Sequence, residues 1–158
     1  MTPRGSVSPN YKAMAEFRHQ IRRFLRFSEE TARAGGLEPQ QYQLLLTLKG
    51  MDGDVVPKIG EIAQRLQIQH HSTVELVDRL VRRGLIRRRR SDSDRRQVIL
   101  ELTPRGDKVL QDLALRHWSE YRSMAPELIG SLKKVMRENQ HTDGAGRTRS
   151  KTAARAPR

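Results

Sequence analysis

The feature that most constrains the fold is a change in hydrophobic period at Gly84. Before it, apolar side chains recur every three or four residues over 59–66 and 74–81, which predicts two short helices with a tight joint. After it, residues 85–90 and 96–103 have the pattern of two strands. In the second strand, three apolar residues alternate with the rest: Val98, Leu100 and Leu102 against Gln97, Ile99 and Glu101. Two close helices followed by a hairpin predict a winged helix-turn-helix, and this segment is the candidate DNA-reading part.

Two longer helices are predicted before this segment. Apolar residues at steps of three and four indicate an amphipathic helix over 11–34, and Gly35 and Gly36 supply the left-handed conformation that ends helices. Pro39 suits the first turn of a second helix, whose leucines make it apolar around most of its circumference. That helix is therefore expected to be buried.

Helices are also predicted after the hairpin. Thr103 and Pro104 form an N-cap and first-turn pair, and Pro126 is predicted to break the helix that they begin. A last helix is predicted over 127–138. Its apolar residues form one stripe that a single copy of this size cannot easily bury: Leu128, Ile129, Leu132, Val135 and Met136. We therefore expect a second copy to cover them.

These elements predict a mainly α fold with a small β-hairpin wing, an α+β winged helix-turn-helix. The predicted organisation is a disordered arm at 1–10, one domain at 11–138 and a disordered basic tail at 139–158. Within the domain, 11–34 and 104–138 are predicted dimerisation helices, and 39–103 is the predicted DNA-binding lobe.

The charge of the chain points to a polyanionic partner. The net charge is +13 with a pI of about 11.1, and residues 79–96 alone contain nine arginines and two aspartates. Guanidinium groups match phosphates and base edges better than ammonium groups do. No run of apolar residues is long enough to span a membrane, and no export signal is evident, so we expect a cytoplasmic location. The absence of cysteine excludes disulfides and thiolate metal sites.

Three stretches resemble the MarR family of bacterial winged helix-turn-helix regulators. They are VDRLVRRGLI at 77–86, the wing signature DRRQVILELTPRG at 94–106 and PQQYQLLLTLKG at 39–50. The resemblance covers roughly residues 11–138. It implies a homodimer with interlocked terminal helices, in which each subunit offers a recognition helix to the major groove and a wing to the minor groove.

The resemblance also implies roles for particular residues. Arg96 corresponds to the arginine that enters the minor groove, and Asp94 to the aspartate that orients the wing by pairing with arginine. The recognition helix is expected over about 69–83, and side chains at its N-terminus reach base edges. The complete predicted DNA-binding set is Gln69, His70, His71, Ser72, Thr73, Glu75, Arg79, Arg88, Arg90, Asp94, Arg95 and Arg96.

Each of these assignments has an alternative. Charge runs are often solvated surface, so the arginines also fit a solvated strand pair. Glu75 fits an intrahelical pair with Arg79 as well as a base contact. His70 and His71 suggest a metal, but neighbouring residues on a helix point about 100° apart and no cysteine or nearby carboxylate completes a shell. No metal or cofactor is expected.

A crevice for a small aromatic or anionic effector is a further expectation from the resemblance. The candidate lining residues share apolar helix faces: Phe24, Phe27, Tyr42, Leu45, Leu113 and His117. Side chains of this kind are more often part of the core, which is the alternative.

The function predicted from the sequence is a transcriptional regulator, expected to be a repressor, that binds double-stranded palindromic DNA as a homodimer. The main alternative is a basic protein that binds nucleic acid without sequence preference. An adaptor that kept the fold but lost DNA binding is another. Catalysis is not expected, because Ser72 beside His71 lacks an orienting acid.

Overall fold

A computed structural model describes residues 9–51, 55–92 and 94–138. Its elements follow one another as five helices and two strands: α1 Tyr11–Ala34, α2 Pro39–Gly50, α3 Ile59–Leu66, α4 His70–Arg82, β1 Ile86–Arg90, β2 Val98–Leu102 and α5 Pro104–Glu138. The predicted bounds of α1 and α3 are confirmed. The predicted arm lies outside the described residues except for positions 9 and 10, and the predicted tail lies wholly outside them.

The chain divides into two compact units. One comprises 24–123, and the described parts of the other are 9–23 and 124–138. The domain limits predicted from the sequence stay a prediction. None of the helices in the described ranges carries an apolar stretch that could cross a bilayer.

The unit at 24–123 is built on one hydrophobic core. Helix α2 lies at its centre because its leucines and Tyr42 point in several directions, and it contacts α3, α4 and β2. Helices α3 and α4 contact each other, as predicted for the helix-turn-helix. The innermost side chains come from every part of this unit: Tyr42, Leu44, Leu45, Ile62, Val77, Leu80, Leu85, Ile86, Leu100 and Leu113.

The hairpin forms an antiparallel pair in which Ile86 faces Leu102 and Arg90 faces Val98. The predicted strands are confirmed with shorter bounds. The simple alternation predicted for β2 is wrong at one end, because Val98 is 44% exposed and Ile99 only 8%. The preceding loop explains the difference: the Leu100 N–H donates to the Pro57 carbonyl at 2.9 Å, so the chain at 55–57 lies alongside β2.

The predicted break at Pro126 is wrong, because α5 is continuous from Pro104 to Glu138 with Pro126 inside it. Proline removes one backbone N–H and crowds the preceding turn, at a cost of about 3 kcal/mol in a helix interior. Its φ is nevertheless compatible with a helix, and one lost bond in a helix of 35 residues does not end it. After Pro126, the helix is held to α1 within the same unit by the ion pair of Arg23 with Glu127 at 2.7 Å.

Candidate nucleic-acid interface

The turn between α3 and α4 depends on Gln67. Its φ of 53° and ψ of 41° are left-handed, and it is the single non-glycine residue with positive φ in the described part of the chain. The Ile68 N–H donates to the Ala63 carbonyl at 3.1 Å, which closes the end of α3. This conformation costs a residue with a Cβ about 1–2 kcal/mol. The backbone there has the left-handed geometry that a glycine would adopt more easily.

The N-terminal end of α4 is open. Gln69 is its N-cap residue and makes no side-chain capping hydrogen bond. The side chains of Gln69, His70 and His71 are exposed, and Ser72 is half-buried. Unpaired N–H groups and the helix dipole make such an end attractive to phosphate. Four of the five residues predicted to read bases are therefore accessible.

Thr73 is a correction to the predicted reading set. It is fully buried, and its hydroxyl donates to the Gln69 carbonyl at 3.1 Å. Thr73 lies on the stripe of α4 that also contains Leu76, Val77 and Leu80, and this stripe faces the core. Its helical spacing to Leu76 and Leu80 was the signal that could have placed it inside.

The arginine run separates into paired and unpaired groups. Four arginines make ion pairs, and Arg83 donates to the Gln41 side chain at 2.7 Å and to the Gly36 carbonyl at 2.8 Å. The four ion-paired residues are Arg79, Arg87, Arg88 and Arg89. The side chains of the other four make no hydrogen bond or ion pair with another described residue: Arg82, Arg90, Arg95 and Arg96. Three of these unpaired arginines lie at the distal end of the wing.

Two of the pairs involve the recognition helix. Glu75 and Arg79 lie 3.7 Å apart, so the intrahelical alternative for Glu75 forms, although both side chains remain more than half exposed. Arg88 contacts Asp78 at 2.5 Å and so joins strand β1 to α4. Arg88 and Arg79 thus each have a carboxylate partner within the protein, and their predicted contacts with DNA stay a prediction.

Asp94 organises the wing turn through a different partner from the one expected. Its carboxylate accepts from the Arg96 backbone N–H at 3.0 Å and from the Gln97 side-chain amide at 2.8 Å. Within the described part of the chain, the carboxylate of Asp94 is thus held by the main chain of Arg96 and the side chain of Gln97, and not by a guanidinium group. This arrangement fixes the backbone of Arg96 and leaves its side chain exposed.

Glu101 on β2 holds two arginines of β1. Its carboxylate contacts Arg89 at 2.5 Å and Arg87 at 2.9 Å, and Arg89 also contacts Asp92 at 2.8 Å. The hydrogen bond from Arg89, with that from Arg87, holds the pKa of Glu101 below its usual range although burial opposes the shift. Sequence reasoning missed this cluster because it depends on strand register.

Comparison with known proteins identifies the fold. A model of the MarR family matches residues 35–97. The transcriptional repressor CouR, solved bound to a 23-mer DNA duplex, is 31% identical with a TM-score of 0.56, and the match covers 75% of this chain and 87% of that one. The chain belongs to the MarR family.

Other similar proteins are transcriptional regulators too. AbsC, a MarR family transcriptional regulator from Streptomyces coelicolor, has the same fold, with a TM-score of 0.67, 22% identity and coverage of 90% of this chain and 99% of that one. The repressor MdtR of Bacillus subtilis is 35% identical over 49% of this chain. The chain spans 48% of the length of MdtR and 60% of that of YsmB, a second B. subtilis regulator.

In this MarR-family chain the predicted effector residues form a packed aromatic cluster. Tyr42 and His117 stack with ring centroids 4.3 Å apart, and Phe27 meets His117 edge-on at 6.2 Å. Phe24 instead packs on Tyr121 at 5.2 Å, while Leu45 and Leu113 are buried in the core cluster.

Hydrogen bonds complete the cluster. Both ring nitrogens of His117 have partners, Nδ1 the Leu113 carbonyl at 2.9 Å and Nε2 the hydroxyl and carbonyl of Ser28 at 3.3 and 3.2 Å. Burial, reinforced by Tyr121, raises the pKa of Tyr42 well above its usual value. These contacts favour the core interpretation, and the effector crevice stays a prediction. Among the described residues, no three His, Cys, Asp or Glu side chains are grouped as metal ligands.

Proposed function

We propose that this protein is a cytoplasmic repressor that binds a palindromic operator as a homodimer. The observation that carries the proposal is the distribution of free groups on the winged lobe. Exposed side chains of Gln69, His70 and His71 begin α4, while the unpaired Arg95 and Arg96 lie in the wing turn. Side-chain donors and acceptors at a helix end suit base edges, whereas arginines suit phosphates and narrow minor grooves.

Apolar residues outside this lobe support the dimer. In the unit formed by 9–23 and 124–138, the described residues leave several large apolar side chains at least two-fifths exposed: Tyr11 at 74%, Met14 at 47%, Ile129 at 51%, Leu132 at 41% and Met136 at 61%. A second copy would remove them from water, and each Å² of apolar surface so buried contributes about 25 cal/mol. A dimer also presents two α4 helices, which a palindromic operator requires.

Binding-site selection on randomised duplex tests the proposal. We expect an enriched palindrome with half-sites about one helical turn apart. We expect binding to it to be at least about a thousandfold tighter than to random duplex. Recovery of no palindrome, with uniform affinity for all duplexes, would show a non-specific nucleic-acid binder instead.

Substitution of Arg96 tests the role of the wing. Arg96→Ala should weaken operator binding by about 1–3 kcal/mol if its guanidinium enters the minor groove. Arg33→Ala, which removes the same charge from helix α1, is the matched control and should change operator affinity much less. Equal effects of the two variants would reject a specific minor-groove contact at Arg96.

A further inference from the structure

The Glu101 cluster divides the wing into a neutralised part and a free part. Arg87 and Glu101 are partners across the strand pair, so both side chains lie on the same face of the hairpin. Arg89 reaches the other oxygen of the same carboxylate and also Asp92. Two guanidinium groups are thus balanced by two carboxylates, while Arg90 immediately beyond them has no such partner in the part of the chain that the structure describes.

Free arginines here would add affinity without discrimination. Each phosphate contact by a cation releases counterions and steepens the salt dependence of binding to B-DNA by about 0.9 in a log–log plot. This gain is the same for every DNA sequence, so it raises the affinity for random duplex as much as that for an operator.

Arg87 and Arg89 are close enough to the wing tip to matter. A strand rises about 3.3 Å per residue, so Arg87 lies roughly 10 Å along β1 from Arg90. That is about one Debye length at 0.1 M salt. Uncompensated charges at this distance would be felt by a duplex that meets the unpaired arginines of the wing turn.

We propose that Glu101 is a positioning residue for the wing, which holds Arg87 and Arg89 away from phosphate and so limits the sequence-independent part of the affinity for DNA. This rests on the proposed function. Glu101 touches no DNA in this role. It sets how many of the wing arginines take part in non-specific binding. Its own side chain is 26% exposed, which fits a group that faces the arginines more than the solvent.

The test compares Glu101→Gln with wild type on random duplex between about 50 and 200 mM salt, the range in which phosphate contacts dominate the change in affinity. Glutamine keeps the shape but not the charge. We expect the affinity for random duplex to rise about three- to tenfold at low salt. We also expect the slope of log affinity against log salt concentration to steepen by about 1–2, because one or two arginines are released. Operator affinity should rise by a similar factor, so the preference for the operator over random duplex should stay close to that of wild type.

Two variants serve as controls, one for the change of charge and one for the involvement of Arg87 and Arg89. Glu29→Gln makes the same charge change beside Arg33 on α1, and it should leave the slope within about 0.3 of wild type because no wing arginine is released. Combining Glu101→Gln with Arg87→Gln and Arg89→Gln should return the slope to the wild-type value. A slope for Glu101→Gln equal to that of Glu29→Gln would overturn the proposal.

The Arg87→Gln and Arg89→Gln pair in a wild-type background keeps the proposal testable if Glu101→Gln does not fold. If Glu101 already keeps both arginines away from phosphate, the salt dependence of random-duplex binding becomes less steep by under about 0.5. If both arginines already contact phosphate in the wild type, it becomes less steep by about 1.8, and the proposal is overturned. This outcome needs only measurements of binding to random duplex, so it does not depend on the existence of an operator. A wild-type protein without operator preference would defeat the proposed function separately.

Discussion

The two ends of helix α4 differ in how the rest of the protein fixes them. At the N-terminal end, Gln69, His70 and His71 are exposed, and the carbonyl of the cap residue Gln69 accepts from the hydroxyl of buried Thr73 in the same helix. At the C-terminal end, Arg83 is bound to the Gln41 side chain and to the Gly36 carbonyl.

The hairpin adds to the anchoring of the C-terminal end. The Thr103 hydroxyl donates to the Gly84 carbonyl at 2.7 Å, and its N–H donates to the Leu85 carbonyl at 3.1 Å. The same hydroxyl accepts from the Gly106 N–H at 3.0 Å, so it also caps α5. A helix fixed at one end can present the other to DNA without losing its position, and the following substitutions test that asymmetry.

The largest effect is expected at Gly106, in the anchored region. A Cβ there would lie 1.9 Å from the Leu85 carbonyl oxygen, so Gly106→Ala forces the backbone to move. We expect the free energy of unfolding to fall by about 3 kcal/mol, at the upper end for overpacking. Gly60→Ala on α3, where a Cβ meets open space, should instead gain about 0.5–1 kcal/mol. Urea unfolding measures both, and equal stability of the two variants would contradict the close approach.

A smaller effect is expected from the Arg83 contact with Gln41. Arg83→Ala should reduce stability by about 1–2 kcal/mol, because hydrogen bonds to charged groups contribute at this level. Gln41→Ala should cost less in an Arg83→Ala background than in wild type, because the pair is then already broken and the bond from the Glu38 N–H to the Gln41 side-chain oxygen is what is left to lose. The expected coupling energy is about 1 kcal/mol. Arg82→Ala is the matched control: its side chain has no partner among the described residues, so stability should change by less than about 0.5 kcal/mol. Strict additivity in the double variant would argue against a direct contact.

The smallest effect, with the opposite sign, is expected in the turn before the open end. Gln67→Gly relieves the left-handed strain but increases the freedom of the unfolded chain, which leaves a net gain of about 0.5–1 kcal/mol. Thermal unfolding measures the gain, and operator preference should stay unchanged because the turn keeps its shape. A loss of stability would mean that the Gln67 side chain has a packing role that its backbone angle does not reveal.

Local patterns in the sequence predicted the elements well. The three-and-four spacing of apolar residues defined α1 and α3 with the bounds that the structure has, and the change of period at Gly84 located the wing. The prediction of a helix break at Pro126 was wrong because a proline acts only on its own turn, whereas the continuity of α5 depends on the many helical hydrogen bonds on either side. The prediction that Ile99 lies on the exposed face of β2 was wrong because the chain near Pro57, which is distant in sequence, lies alongside this strand.

The site was predicted less completely than the fold. Exposure of Gln69, His70 and His71 was correctly expected, but Thr73 was placed among them although it continues the apolar stripe of α4. Which arginines are free depends on cross-strand register and on contacts such as that of Arg88 with Asp78, which sequence spacing alone does not encode. The partner of Asp94 likewise requires the geometry of the turn.

The strand β1 carries four consecutive arginines, and this has a consequence for solubility. In the described residues the sheet has two strands, so one edge of β1 has no third strand beside it. Open edges recruit strands from other molecules and begin aggregation, and natural proteins resist this with charged side chains. Two copies of IRRRR brought edge to edge would crowd long charged side chains against one another, and Arg87, Arg88 and Arg89 would have to keep their carboxylate partners in that crowded space. The ion-paired arginines of β1 therefore also disfavour the addition of one hairpin to another.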